Sequence, residues 1–178
     1  LRAQFALVDK TAVAELTTAA NKGENLLARL HGIWGLGQLG SKLKAQSSKA
    51  TTDALAALLA LAADKDAEVR AQAAKTLGEA RHKPAAGALI KLLADESLRT
   101  RSLAAIALGK LAAPQAFQPL VTLVRDNADK DPVLRHAGVT GLLGCGDAKQ
   151  IAALRSDASP AVRMAAVVAL RRLESAEV

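Results

Sequence analysis

Aromatic residues are almost missing from this chain: among 178 residues there is no Tyr, and only two Phe and one Trp, Trp34. With just 11 Val and 4 Ile beside them, too little β-branched and aromatic material remains to build a sheet, which excludes all-β and doubly wound α/β folds. Sulfur is scarce too. The single Cys145 cannot form an intramolecular disulfide framework or a cysteine-based zinc site, since each needs at least two sulfurs. No long apolar run is present: the longest, residues 54–63, is about half of what a bilayer span requires, so no membrane insertion is expected. The three histidines, His31, His82 and His136, show no HxxxH or HxxE spacing, and no metal or other cofactor is expected. No serine stands in a nucleophile elbow, and no catalytic residue is expected. A GxGxxG run (Gly35, Gly37, Gly40) sits in a helical pattern without a preceding strand, which argues against a dinucleotide loop. Acids are fewer than bases, 17 against 24, giving a net charge of +7. That permits an acidic partner only as an argument about association. The chain opens on Leu1 without a basic stretch and apolar core of the signal-peptide kind; it is expected to be a piece of a longer protein, cytoplasmic or periplasmic.

What the chain has in abundance is Ala, 41, and Leu, 29, both strong helix formers. The decisive pattern is a repeat. An Arg followed seven residues later by Leu recurs at Arg29, Arg70, Arg101, Arg135 and Arg163, with a degenerate copy at Arg2. Successive spacings of 27, 41, 31, 34 and 28 residues are solenoid periods. Three residues after each internal Arg stands a small side chain (Gly32, Ala73, Ala104, Gly138, Ala166), and one further on an apolar one (Ile33, Ala74, Ala105, Val139, Val167). Positions 3, 4 and 7 share a helical face, which predicts a buried stripe.

Six residues before the Arg runs a second column, Asp64, Asp95, Asp129 and Asp157, with Gly23 in the first full copy. Two residues later come Asn25, Asp66, Ser97, Asp131 and Ser159, all N-cap types, and Pro132 and Pro160 follow at a first helical position. A second helix therefore starts there in each unit. The partner helices are predicted at 11–20, 52–63, 84–94, 114–124 and 149–155, after a lone helix at 1–8. The expectation is one all-α domain, residues 1–178, forming a right-handed superhelix of five hairpins (10–40, 50–81, 84–112, 114–145 and 147–175), with an insertion at 40–51. A residue that recurs once per unit six after Asp is best read as an inter-repeat ladder of ion pairs and caps, so Arg29, Arg70, Arg101, Arg135 and Arg163 with Asp64, Asp95, Asp129 and Asp157 are expected to be structural. Loss of the Arg101 side chain is then expected to cost about 1–3 kcal/mol.

The segments DKDAEVRAQAAKTLGEA (64–80) and SDASPAVRMAAVVALRRL (156–173) resemble HEAT repeats, in particular the short bacterial HEAT-like kind also found in phycobilin-lyase relatives. The resemblance spans essentially the whole chain. It implies an Asp–Arg ladder between neighbouring repeats and a bend at a proline in a hairpin's first helix, a place Pro119 fits. Gly23, together with Leu143 and Arg171 where other copies carry Gly37, Gly78 and Gly109, departs from the pattern. The stretch LLARLHGIWGLGQLG (26–40) also looks like HEAT segments in secreted bacterial proteins that join a propeller to a cytochrome c domain. Cys145 lacks the neighbours of a haem attachment motif, so that likeness would make the chain a connector.

Columns that vary are more informative about partners. Positions 2, 5 and 9 after the Arg read His31, Trp34, Gln38 and then Gln72, Lys75, Glu79 in the first two copies, on one helix face, and of these His31, Trp34, Gln38, Gln72 and Lys75 are the candidate partner-binding residues. If second helices line the concave side, these five form its most decorated part, and Trp34 beside His31 is a candidate anchor for a partner. The alternative is that Trp34 packs under the insertion. Ten of the 17 acids fall at turns inside hairpins, while Lys42, Lys44, Lys49, Arg81 and Lys83 mark turns between them. Helix-dipole complementarity accounts for this polarity, and so does a basic edge that meets an anion. Two functions follow: a non-enzymatic scaffold that binds a protein segment or a neighbouring domain of the same chain, or nucleic-acid binding along the basic edge, as in HEAT-like DNA glycosylases. One Trp without Tyr is a poor stacking set for the second. A chromophore-lyase-like helper is suggested by the repeat resemblance alone.

Overall fold

A computed structural model describes residues 2–42 and 48–173, with Lys42 described in its backbone only. Among the described residues there are eleven α-helices and no strand. They are α1 (Arg2–Asp9), α2 (Val13–Lys22), α3 (Leu26–Lys42), α4 (Lys49–Leu61), α5 (Ala67–Glu79), α6 (Ala86–Leu92), α7 (Leu98–Leu111), α8 (Phe117–Asn127), α9 (Pro132–Cys145), α10 (Ala148–Ala153) and α11 (Pro160–Arg172). After α1 they pair as five hairpins, α2/α3 to α10/α11, in an all-α superhelix.

The caps act as their residue types predict. Asp66 accepts the N–H groups of Glu68 and Val69, Ser97 that of Thr100, Asp131 that of Leu134 and Asn25 that of Ala28. Ser159 makes no side-chain cap bond, and there Pro160 opens the helix instead. Pro84 and Pro114 start short 3-10 turns, Lys83–Ala85 and Pro114–Ala116, which lead into α6 and α8. Pro119 lies in the first turn of α8, so the change of direction precedes it at the 3-10 junction. Within the expected insertion at 40–51, residues 43–47 lie outside the described residues; of the rest, α3 runs on through Lys42 and α4 begins at Lys49, three residues earlier than predicted.

Leu36, Leu77, Leu108, Leu142 and Leu170, seven after each Arg, are all buried and form a spine. Second helices α3, α5, α7, α9 and α11 pack directly on one another in order, whereas α6 and α8 meet mainly their own hairpin partners and α4 packs more on α3 of the preceding hairpin than on α5. A layer that packs closely while the other splays lies on the inner side of the curve.

Two glycines, Gly23 and Gly146, stand at helix C-caps. Left-handed backbone falls on Thr11, Arg81, Ala112, Ala128 and Asp129, and no glycine has positive φ among the described residues. The other ten stand inside helices, and all of them except Gly87 lie where a neighbour approaches. A Cβ on Gly78 would sit 2.6 Å from the Cβ and 2.7 Å from the Cα of Ala107 on the next second helix.

Candidate partner-binding surface

The ladder forms at its first two rungs. Arg29 donates to Asp64 of the next hairpin at 2.5 Å and to the carbonyl of Ala20 at 2.8 Å. Arg70 uses Nε and Nη2 to hold both oxygens of Asp95, at 2.6 and 2.9 Å, while its Nη1 donates to the carbonyls of Asp64 and Lys65. Each Asp also accepts the N–H of the cap residue two positions on. One arginine thus joins two turns.

The third rung departs from the sequence expectation. Asp129 pairs with Arg135 of its own hairpin, and Arg101 has no hydrogen bond to a carboxylate among the described residues, its buried Nε finding no partner. The cause is the turn between α8 and α9, where Ala128 and Asp129 are both left-handed and swing Asp129 outward. Asn127 accepts the N–H of the cap Asp131 in its place and donates its own amide to the Asp131 carbonyl. Both ends of the Asn127 amide are thus engaged within its own turn. The fourth rung is also altered: Asp157 is held by Arg125 of α8 at 2.7 Å, not by Arg135. Arg163 donates Nη1 to the carbonyls of Asp157 and Ala158.

These contacts shift the carboxylates. The Arg70 bond, helped by the Ser97 N–H and against burial, holds Asp95 below its usual value. Burial alone would raise Asp64, and the bonds from Arg29 and the Asp66 N–H outweigh it. Asp157, held mainly by the Ser159 N–H and Arg125, is lowered as well. A lowered carboxylate contributes stability that is complete above its unfolded pKa, about 3.9 for Asp, and lost as pH falls through the folded value. Melting temperature should therefore change little from these groups between about pH 7 and 5, and should fall steeply below about pH 4. Arg70→Ala should flatten the acid limb of that profile.

Of the five variable residues, four are joined around Trp34 on the second-helix layer. His31 meets Trp34 edge to face, centroids 5.1 Å apart at 84°, and its Nδ1 lies 2.7 Å from Gln4 Oε1 on α1. The indole N–H donates to Gln72 Oε1 at 3.1 Å, and Gln72 donates on to Glu68, which holds Arg99 from the next second helix. Gln72 is buried rather than solvent-facing, because Trp34 and Glu68 cover it. Trp34 and Gln38 line an open cleft of about 280 Å³ between α3 and α5, completed by Gly37, Ser41, Thr76 and Glu79. The Gln38 Oε1 is buried with no hydrogen-bond partner among the described residues. Lys75 lies 3.9 Å from Glu79, which also lies 4.0 Å from Lys110.

Gln4, Glu68, Thr76 and Arg99 were not singled out as site residues by the sequence, whereas Glu79, nine after Arg70, shares the face of Gln72 and Lys75 by spacing. Glu68 stood four before Gln72, and Arg99 stood one 31-residue period after Glu68, so helical and repeat spacing together could have found that pair. Gln4 gave no such signal.

Lys49 donates to Asp53 at 2.7 Å, while Arg81 and Lys83 are exposed. Lys44 and the Lys42 side chain lie outside the described residues. No helix among the described residues is long and apolar enough to cross a membrane, and among them no three His, Cys, Asp or Glu gather as a metal site would need.

Stacked helical hairpins with this ladder define a repeat solenoid. The chain belongs to the HEAT-repeat family, whose profile matches residues 52–143, just over half of the sequence. Among solved structures it is similar to an engineered protein (20% identity, TM-score 0.62, covering 97% of this chain and 83% of that one). A designed armadillo repeat protein is also similar (18%, 0.59, 96% and 85%). So is human deoxyhypusine hydroxylase (18%, 0.53, 93% and 64%). At these identities the likeness is one of fold alone, and one of the similar structures is that of an enzyme. No curated protein sequence matches the chain.

Proposed function

We propose that the chain is a non-catalytic scaffold that holds a protein segment, or a neighbouring domain, against its inner helix layer at the Trp34 cleft. One observation carries this: the chain's single tryptophan stands at the wall of an open cleft, fixed by Gln72 and His31, beside the unsatisfied Gln38 oxygen. A rigid aromatic with its orientation already set loses little freedom on binding, and an unpartnered acceptor gains a hydrogen bond when a partner donates one. Extended segments offer backbone N–H groups for that purpose.

The test retains proteins from native extract on immobilised wild-type chain, Trp34→Ala and Lys83→Ala. A protein held by wild type and Lys83→Ala and released by Trp34→Ala supports the cleft, with circular dichroism showing both variants folded. Equal retention on all three contradicts it. Labelled duplex and single-stranded DNA provide the contrast: the scaffold reading expects no tight binding that collapses between about 50 and 200 mM salt. Such binding, lost in a variant lacking Arg81 and Lys83, would move the function to the basic edge.

A further inference from the structure

The column four residues after each ladder arginine reads 0% exposed at Ile33, Ala74 and Ala105, 3% at Val139, and 53% at Val167. In the first four copies the next hairpin covers this position; in α11 nothing among the described residues does. Met164, Val168 and Leu173 are exposed with Val167. Opposite, at the other end of the stack, α1 packs across α3 and α2 and covers that face, with Gln4 bonded to His31. The two ends therefore differ.

Charge says what fits the open end. Arg163 already holds the two carbonyls of its own turn through Nη1, the same anchoring that Arg70 uses. In Arg70 the remaining Nε and Nη2 grip Asp95 of the following hairpin. In Arg163 those donors have no hydrogen bond among the described residues, none of which supplies a following turn, and the Asp157 carboxylate of its own turn is held by Arg125. Arg171 and Arg172 add positive charge, and α11 has no acid. A second copy of the same face would bring arginines against arginines.

We propose that the α11 face, Met164, Val167, Val168 and Arg163, is a docking surface for one further helical hairpin, with an Ala/Leu-rich covering face and an aspartate at its inter-helix turn that completes the Arg163 rung. This surface is separate from the Trp34 cleft, and either can fail without the other.

The test gives the chain such a hairpin. A copy of residues 81–111 joined after Leu173, in place of 174–178, puts the copied Asp95 25 residues beyond Arg163, the spacing from Arg70 to Asp95. Amide hydrogen exchange across α11 is expected to slow by at least about tenfold. Most of that slowing should vanish when the copied aspartate becomes Asn, and again with Arg163→Gln, without further loss when both are combined. Unchanged α11 exchange, equal slowing with the Asn copy, or an appended hairpin that exchanges as unfolded chain would each overturn the proposal. So would sedimentation showing that the unmodified chain dimerises and that Val167→Asp abolishes the dimer, which would make a second copy the occupant.

Discussion

Arg70→Ala is expected to lower unfolding stability by about 3 kcal/mol, while Arg101→Ala is expected to lower it by less than about 1 kcal/mol. The two arginines occupy the same column and differ in what they meet. Arg70 is 11% and Asp95 7% exposed, and the pair is joined by two bonds while Nη1 satisfies two carbonyls. Removing the guanidinium leaves Asp95 buried without its countercharge and leaves two carbonyls short of a donor, which is the costly way to break a buried pair. Arg101 holds no carboxylate, and its Nε is already desolvated without compensation, so truncation removes a liability along with some packing. Urea unfolding midpoints at constant m would show the difference. Equal losses in the two variants would mean that Arg101 finds a carboxylate partner in solution.

Gly144→Ala is expected to cost about 3 kcal/mol or more, and Gly87→Ala to add about 0.5–1 kcal/mol. Alanine is the better helix former at both places, so propensity alone predicts two gains. Packing decides otherwise at Gly144, where a Cβ would fall 2.5 Å from the Cα and 2.6 Å from the carbonyl carbon of Gly109 on α7. Those are backbone atoms, and they give way only if α7 and α9 move apart along a contact that also buries Leu108 and Leu142. At Gly87 a Cβ meets nothing within 4 Å. Thermal melts of the two single variants suffice, and a stabilised Gly144→Ala would contradict the close approach of these helices.

The fold was legible because stacking imposes one requirement five times. Each second helix needs a cap, a small residue where its neighbour crosses, and a leucine in the spine, so chance matches are averaged away. Local exceptions were not legible for the same reason. Counting six back from Arg135 lands on Asp129, yet the left-handed pair Ala128–Asp129 shifts the functional equivalent to Asn127. Residue count follows the chain, whereas the rung follows the position of the cap. Single glycines in sequence carry no record of what lies across from them, so the close approaches at Gly78 and Gly144 were not legible. At the cleft, the facing of His31, Trp34 and Gln38 was visible from helical spacing, but the burial of Gln72 was not, since it depends on Trp34 reaching across to it from another repeat.

The claim that the inner layer receives the partner at the Trp34 cleft is tested most directly by photo-cross-linking. Benzoylphenylalanine is placed at Ser41, exposed at the cleft, or at Gln118, exposed on the first-helix layer, and the purified chain is irradiated in native extract. The account predicts a discrete protein adduct from position 41 that is lost with Trp34→Ala, and none from position 118. Adducts from position 118 alone, or from 41 with Trp34→Ala as strongly as without it, would contradict it.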